Sequence, residues 1–169
     1  IVEGHRPLLV EVQALTNHAP GGGQLRRSAQ GIDTNRLAML LAVIERRARL
    51  PVASHEVYVS VVGGVKLTEP GVDLSVCLAI ASAIVGQPLP ADMVCCGEVG
   101  LAGELRQVAQ TQRRLAEASR LGFAKAIVPA SAPESSANIR VTRASTLPEA
   151  MWAAGLLTGD RPGGLRAVP

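Results

Sequence analysis

Aromatic side chains are nearly missing from this sequence, at 2% of residues. Tyr58, Phe123 and Trp152 are the whole set, and each sits in an apolar run. The core must therefore be built from Leu, Val, Ile and Ala, and single-stranded nucleic-acid binding by base stacking has no platform to use. Cysteine is scarce too: Cys77, Cys95 and Cys96 are odd in number and lack the paired spacing of a disulfide framework. With no C-x-x-C pair, and with His5, His18 and His55 at no ligand spacing, no metal site is expected. Small buried thiols in a reducing compartment are the expectation instead. No apolar run reaches membrane-spanning length and no signal-peptide pattern opens the chain, so a cytoplasmic protein with no membrane partner is expected.

Lysine is also rare. Of 17 basic residues only Lys66 and Lys125 are lysines, so the positive charge is almost wholly arginine, which favours bidentate phosphate contacts. A coding bias toward Arg would give the same composition. The net charge of +3 is only mildly basic. Length (169 residues), 47% hydrophobic and 18% charged residues suit one folded domain with a sizeable core. The chain opens on Ile1, without Met, and reads as a fragment of something longer.

Alternation over 8–16 (LLVEVQALT) predicts a strand, 17–24 a glycine-rich loop and 25–31 a second strand. Asp33 or Thr34 is placed to cap a helix that stops before Pro51. Its stripe is Leu37, Leu40, Leu41 and Ile44, and Arg46, Arg47 and Arg49 complement its dipole near the C-terminus. A strand over 56–62 ends at Gly63-Gly64. The run 72–85 (VDLSVCLAIASAIV), apolar nearly all round, predicts a buried helix ending at Gly86. A buried strand is expected over 93–97, with 105–108 as its hairpin partner and Cys95 and Cys96 on opposite faces. An amphipathic helix over 111–121 follows, with Leu115 and Ala118 inward. Strands over 126–128 and around 139–141 and a helix over 148–154 complete an α+β domain, a mixed sheet packed with helices.

Familiar catalytic motifs fail on inspection. VVGGVKLT is not a phosphate-binding P-loop, because its first glycine is missing and Lys66 does not follow a glycine. Gly97, Gly100 and Gly103 recur every third residue and do not match G-x-G-x-x-G. No G-x-S-x-G elbow surrounds Ser60, Ser75 or Ser82. A serine–lysine dyad would need Lys66, in the loop before the buried helix, or Lys125, at the start of an edge-like segment.

Two segments resemble the proteolytic domain of the Lon family. That family opens a buried helix with P-K-D-G-P-S-A-G, in which Ser is the nucleophile; here the opening is EPGVDLSV, Glu69 to Val76. Setting Gly71 on the family glycine puts Asp73 at the nucleophile position. The later motif, G-E-I-x-L-x-G-x-V-x-P-I-G-G-L-K-E-K, is here GEVGLAGELRQVAQTQRR, Gly97 to Arg114, and puts Gln112 at the catalytic lysine. Within this group the chain resembles the C-terminal Lon-like domain of the bacterial RadA (Sms) family of DNA repair and recombination proteins. RPLLVEVQAL, NRLAMLLAVIERR, VYVSVVGGVKLTEPGVDLSVCLAIASA, GEVGLAGELRQV and LGFAKAIVP stand in the family's order. The resemblance implies a Lon proteolytic-domain fold (ribosomal protein S5 domain 2-like) over 1–156, with 157–169 a flexible tail. It also implies a zinc finger and a RecA-like ATPase outside this fragment, so ATP, Mg and Zn are expected there and no cofactor here.

By the same resemblance the domain is a non-proteolytic, hexamer-forming platform with a DNA-contacting surface, working on single-stranded or branched DNA beside a recombinase. The candidate phosphate contacts are Arg26, Arg27, Lys66, Arg106, Arg113 and Arg114. Three alternatives stay open: a peptidase with an unusual dyad such as Ser75 with Lys66, a purely structural oligomerisation module, and a Lon-like domain of another ATPase family such as the magnesium-chelatase-like proteins. Asp73 at a helix start also has a plain structural reading, since the dipole favours it by about 0.3–1 kcal/mol. Asp73→Ser is expected to leave casein and fluorogenic peptides uncleaved, because Gln112 supplies no base; cleavage by that variant would refute the reading.

Overall fold

Alternation of small and β-branched residues builds the first sheet. A computed structural model describes residues 1–4, 6–19 and 25–158. A short hairpin, β1 (Val2–Glu3) and β2 (Arg6–Pro7), precedes β3 (Val12–His18), β4 (Arg27–Gln30) and β5 (His55–Val61). β5 is central: β3 pairs with it antiparallel from Val12↔Val61 to His18↔His55, and β4 pairs parallel from Arg27↔Val57 to Gln30↔Ser60. Val57, Val59 and Val61 face the core, while Leu15, 67% exposed, lies on the open face. The strand expected over 8–16 is thus displaced. It starts at Val12, because its partner turns away after Val61 into a 3₁₀ turn with Gly63 at φ 82°, and it runs on through Asn17 and His18. The rest of the expected glycine-rich loop, 20–24, lies outside the described residues, as does the tail from 159.

Asp33 caps α1 (Thr34–Val43), its carboxylate accepting from the Arg36 amide at 2.8 Å. The stripe Leu37, Leu40, Leu41 and Ile44 is buried as expected. The helix does not run on unchanged to Pro51. It widens into a π-turn over Ile44–Ala48 and stops at Arg49, held at φ 57°. α2 (Asp73–Val85) is the buried helix, ending on Gly86 at φ 68°. It packs against β3, α1, the first sheet and a fourth helix. Leu74, Val76, Leu78 and Ile80 are fully enclosed, each stabilising the fold by roughly 1.5–3 kcal/mol.

The second sheet is all parallel, in the order β10 (Arg140–Ala144), β9 (Lys125–Pro129), β6 (Met93–Cys95). α3 (Thr111–Arg120) makes the crossover from β6 to β9, as parallel neighbours require. α4 (Leu147–Ala153), capped by Thr146, packs on β10 and α2. β9 is buried on both faces: Ile127 joins the main core, Ala126 and Val128 a smaller one under α3 with Leu115 and Cys96. Cys95 packs against the main core and Cys96 against the smaller one, on opposite faces as expected, although Cys96 lies just past β6.

Two expectations are corrected. Lys125 does not begin an edge segment; it opens the central strand and pairs with Asp92 at 3.1 Å. Leu105–Arg106 (β8) pairs not with the 93–97 strand but with a separate one, β7 (Glu98–Val99). The break falls at Gly97, whose amide donates to the Gly71 carbonyl and whose carbonyl accepts from the Leu74 amide. Gly97 is thereby committed to the start of α2 rather than to the ladder.

Gly31 is the tightest backbone position between β4 and the 65–67 segment. At φ 82°, a Cβ there would lie 2.6 Å from the Val65 carbonyl oxygen and 2.8 Å from Val61 Cβ. Gly31→Ala is expected to lower unfolding stability by about 2 kcal/mol in a urea titration, through strain and overlap together.

Candidate functional site

The start of α2 collects the residues that the sequence singles out. Pro70–Val72 forms a 3₁₀ turn that feeds Asp73 into the first helical turn without a side-chain cap. Asp73 is 1% exposed. Arg36, from α1, grips it with both arms: Nε donates to Oδ1 at 2.9 Å and Nη2 donates to Oδ2. The Val99 amide of β7 donates to Oδ2 at 3.1 Å. One carboxylate thus ties together α1, α2 and the β7–β8 hairpin. Burial pushes the Asp73 carboxyl above its ordinary range, with Arg36 and the Val99 amide opposing it. The same hydrogen bond raises Arg36 further, so the guanidinium stays protonated.

A second pair lies beside it. Arg114 of α3, with its side chain 9% exposed, binds the Glu69 carboxylate through Nη2 and donates Nε to the Ala109 carbonyl at 2.9 Å. Gln112, the expected lysine position, points elsewhere: it is exposed, and its amide donates to the Glu134 carbonyl at 2.6 Å. Asp73 and Gln112 have no partner in common. Ser75 reaches the Cys95 carbonyl at 3.4 Å and Cys95 Sγ at 3.3 Å, whereas Lys66 is exposed in the loop before α2. Burial pushes the Cys95 thiol up to about 12, which suits a packing role. Among the described residues no group of three or more His, Cys, Asp or Glu is placed to hold a metal ion.

The six candidate phosphate contacts divide. Arg114 is enclosed with Glu69, and Arg106 lies between Glu104 at 2.5 Å and Glu98 at 3.7 Å. These two are already neutralised. Arg26, Arg27, Lys66 and Arg113 are exposed and form no ion pair among the described residues. Arg27 donates only to the Val52 carbonyl, at 3.4 Å, and Arg113 to Gln110, at 3.2 Å. They do not form one cluster. Arg27 opens β4, while Lys66 adjoins the Ile32–Leu67 bridge past its far end, about 16 Å away at 3.3 Å per residue.

Arg36 and Glu69 are the residues that sequence reasoning missed. Arg36 lies one turn into a helix whose other arginines look like surface charge. Only the fold brings it to Asp73, 37 residues on.

Residues 37–132, more than half of the chain, match the family described as Subunit ChlI of Mg-chelatase. The chain belongs to that family. Its relatives bear the name DNA repair protein RadA. That of Escherichia coli (strain K12) is 53% identical over 128 residues, 76% of this chain and 28% of the relative. Those of Mycolicibacterium smegmatis and Pseudomonas aeruginosa are each 46% identical, over 86% and 88% of this chain and 31% and 33% of theirs. The resemblance to RadA read from the residues is therefore shown, and the chain spans about a third of the length of the curated relatives it matches. The magnesium-chelatase likeness, held as an alternative, proves to be a family-level match alongside it. No helix among the described residues is long and apolar enough to cross a membrane.

Removing one partner of a buried pair costs about 3–5 kcal/mol; Arg36 is 32% exposed, so Arg36→Met is expected near about 3 kcal/mol at pH 7. The loss should shrink at lower pH. An unpaired, buried Asp73 has its folded pKa raised above the unfolded value of about 3.9, so its protonated form stabilises the fold and that stability disappears as pH rises through the raised value. Arg36→Met with Asp73→Asn should lose less than Arg36→Met alone. Urea titrations at two pH values check both statements.

Proposed function

We propose that this domain is a non-proteolytic, Lon-like module of a DNA repair protein, acting as a ring-forming platform that contacts DNA phosphates. One observation carries the reading: both positions that correspond to the peptidase dyad are spent on structural contacts, while the candidate contacts Arg26, Arg27, Lys66 and Arg113 are exposed and form no ion pair among the described residues. Asp73 holds α1, α2 and the β7–β8 hairpin together, and Gln112 is bound to the Glu134 carbonyl. Neither position offers a hydroxyl nucleophile or an amine base. Arg26, Arg27, Lys66 and Arg113 suit phosphate contacts that position a strand without reading its bases. The scarcity of aromatic residues supports the same choice, since it disfavours stacking.

The cations are spread along the domain, so a single copy would hold DNA weakly. A hexameric ring repeats each contact six times and makes one or two per copy sufficient. The names of the relatives support a role in DNA repair. Action on single-stranded or branched DNA, beside a recombinase and driven by an ATPase with its own ATP, Mg and Zn, is the corresponding role of the whole protein.

The test is fluorescence anisotropy of labelled single-stranded DNA at low and moderate salt. Affinity should fall steeply with salt. Arg26→Ala with Arg27→Ala should weaken binding and lower the log–log salt slope by about 1.4, two contacts at roughly 0.7 each, with oligomer size unchanged. Unchanged affinity removes Arg26 and Arg27 from the interface. No binding at low salt by folded protein leaves the domain as an assembly platform only.

A further inference from the structure

A cavity of about 540 Å³ separates two sheet edges. Every residue from 7 to 12 lines one wall and 93 to 96 line the other, so the backbones themselves border the space. Ser75 and Leu78 of α2, Leu121 and Phe123 line it as well. On the first wall, the Glu11 carbonyl accepts from the Val62 amide, which turns Glu11 toward β5. Backbone groups alternate sides along an extended chain, so those of Val10 and Val12 turn away from β5. On the second wall, the Cys96 amide donates to the Ile127 carbonyl, so Val94 and Cys96 face β9 while Met93 and Cys95 face away; the Met93 amide already donates to the Pro90 carbonyl and the Cys95 carbonyl accepts from Ser75 Oγ, so the Met93 carbonyl and the Cys95 amide are the groups offered to the slot. β6 is the last strand of its sheet. Beside the cavity Leu8 and Leu9 are 41% and 49% exposed, apolar residues on an edge whose charged members are Glu11 on this wall and Arg114 and Glu117 from α3.

We infer that this cavity is a strand slot, filled by an extended apolar segment that continues β1 upstream of Ile1 and lies antiparallel to residues 8–12. The register assigns the occupant. Ile1 and Leu8 exchange two backbone hydrogen bonds, each 2.9 Å, next to Val2↔Pro7 and Glu3↔Arg6. Continued upstream, that ladder lies opposite Leu9, Val10 and then Val12, and Ile1 itself lines the cavity. The relatives are about three times as long as this chain, so proteins of this kind carry residues outside the span matched here. Paired on both sides, it would join the two three-stranded sheets across the slot. Glu69 fixes the direction of entry: its Oε2 accepts from the Val2 amide at 3.0 Å while its Oε1 holds Arg114. A strand arriving from upstream is thereby tied to the start of α2 and to α3, the elements around the degenerate dyad.

The test fuses a segment of about eight residues, alternating Val and Thr, directly before Ile1, with a control in which alternate residues are Pro and so cannot pair. Amide hydrogen exchange and thermal unfolding are measured for both and for the unextended chain at two protein concentrations. The strand-forming extension should slow exchange at Val10 and Cys95 by at least about tenfold and raise Tm, independently of concentration; the Pro control should do neither. Equal behaviour of the two extensions would overturn the inference. Protection that grows with protein concentration would overturn it too, by making a second copy the occupant.

Discussion

One buried carboxylate holds the architecture together. Asp73 takes two bonds from Arg36 and one from the Val99 amide, and so fixes the relative placement of α1, α2 and the β7–β8 hairpin. Hydrophobic burial supplies most of the stability but has no direction, and α2, apolar on nearly every side, would pack in several rotations about its axis. A charge that must be paired permits one of them. Ion pairs of this kind add little net stability relative to well-packed apolar groups, and their value lies in the arrangement they enforce.

Next to that fixed centre, the arginines divide by role. Arg36, Arg106, Arg114, Arg120 and Arg143 each face a carboxylate. Formal net charge therefore understates how selectively positive charge is exposed. The exposed cations that form no ion pair among the described residues sit at strand starts, in loops, just past α1 and on the outer face of α3. Sequence composition reports only the sum, so a net charge of +3 does not separate the paired cations from the unpaired ones.

Local rules carried far in the reading of this sequence. The Asp33 cap, the α1 stripe, the extent of α2 to Gly86 and the amphipathic α3 all follow from periodicity and capping chemistry, because their faces are set within one or two turns. The errors share one cause. β3 begins where β5 ends, β7 begins where Gly97 is taken up by α2, and Lys125 becomes central because β6 and β10 flank it. Each is decided by a partner far along the chain. The candidate site was legible in part: motif comparison singled out Asp73, which centres it, and Gln112, which points away from it, but not Arg36, since nothing local sets that residue apart from Arg46 or Arg47. Arg114, expected at the surface, is buried because Glu69 approaches from another element.

The pairing pattern has a consequence for how the chain reaches this state. β5 must collect β3 from one side and β4 from the other, with all of α1 between β4 and β5, and β9 must wait for α3 before meeting β6. Neither sheet contains a tight two-strand hairpin to start from. Such distant pairings must close their loops before being rewarded for it, which slows folding relative to a helical bundle of the same size. During that interval β9, apolar on both faces, has no cover at all. A segment that ends up buried on both faces is thus open to self-association while the protein is being made.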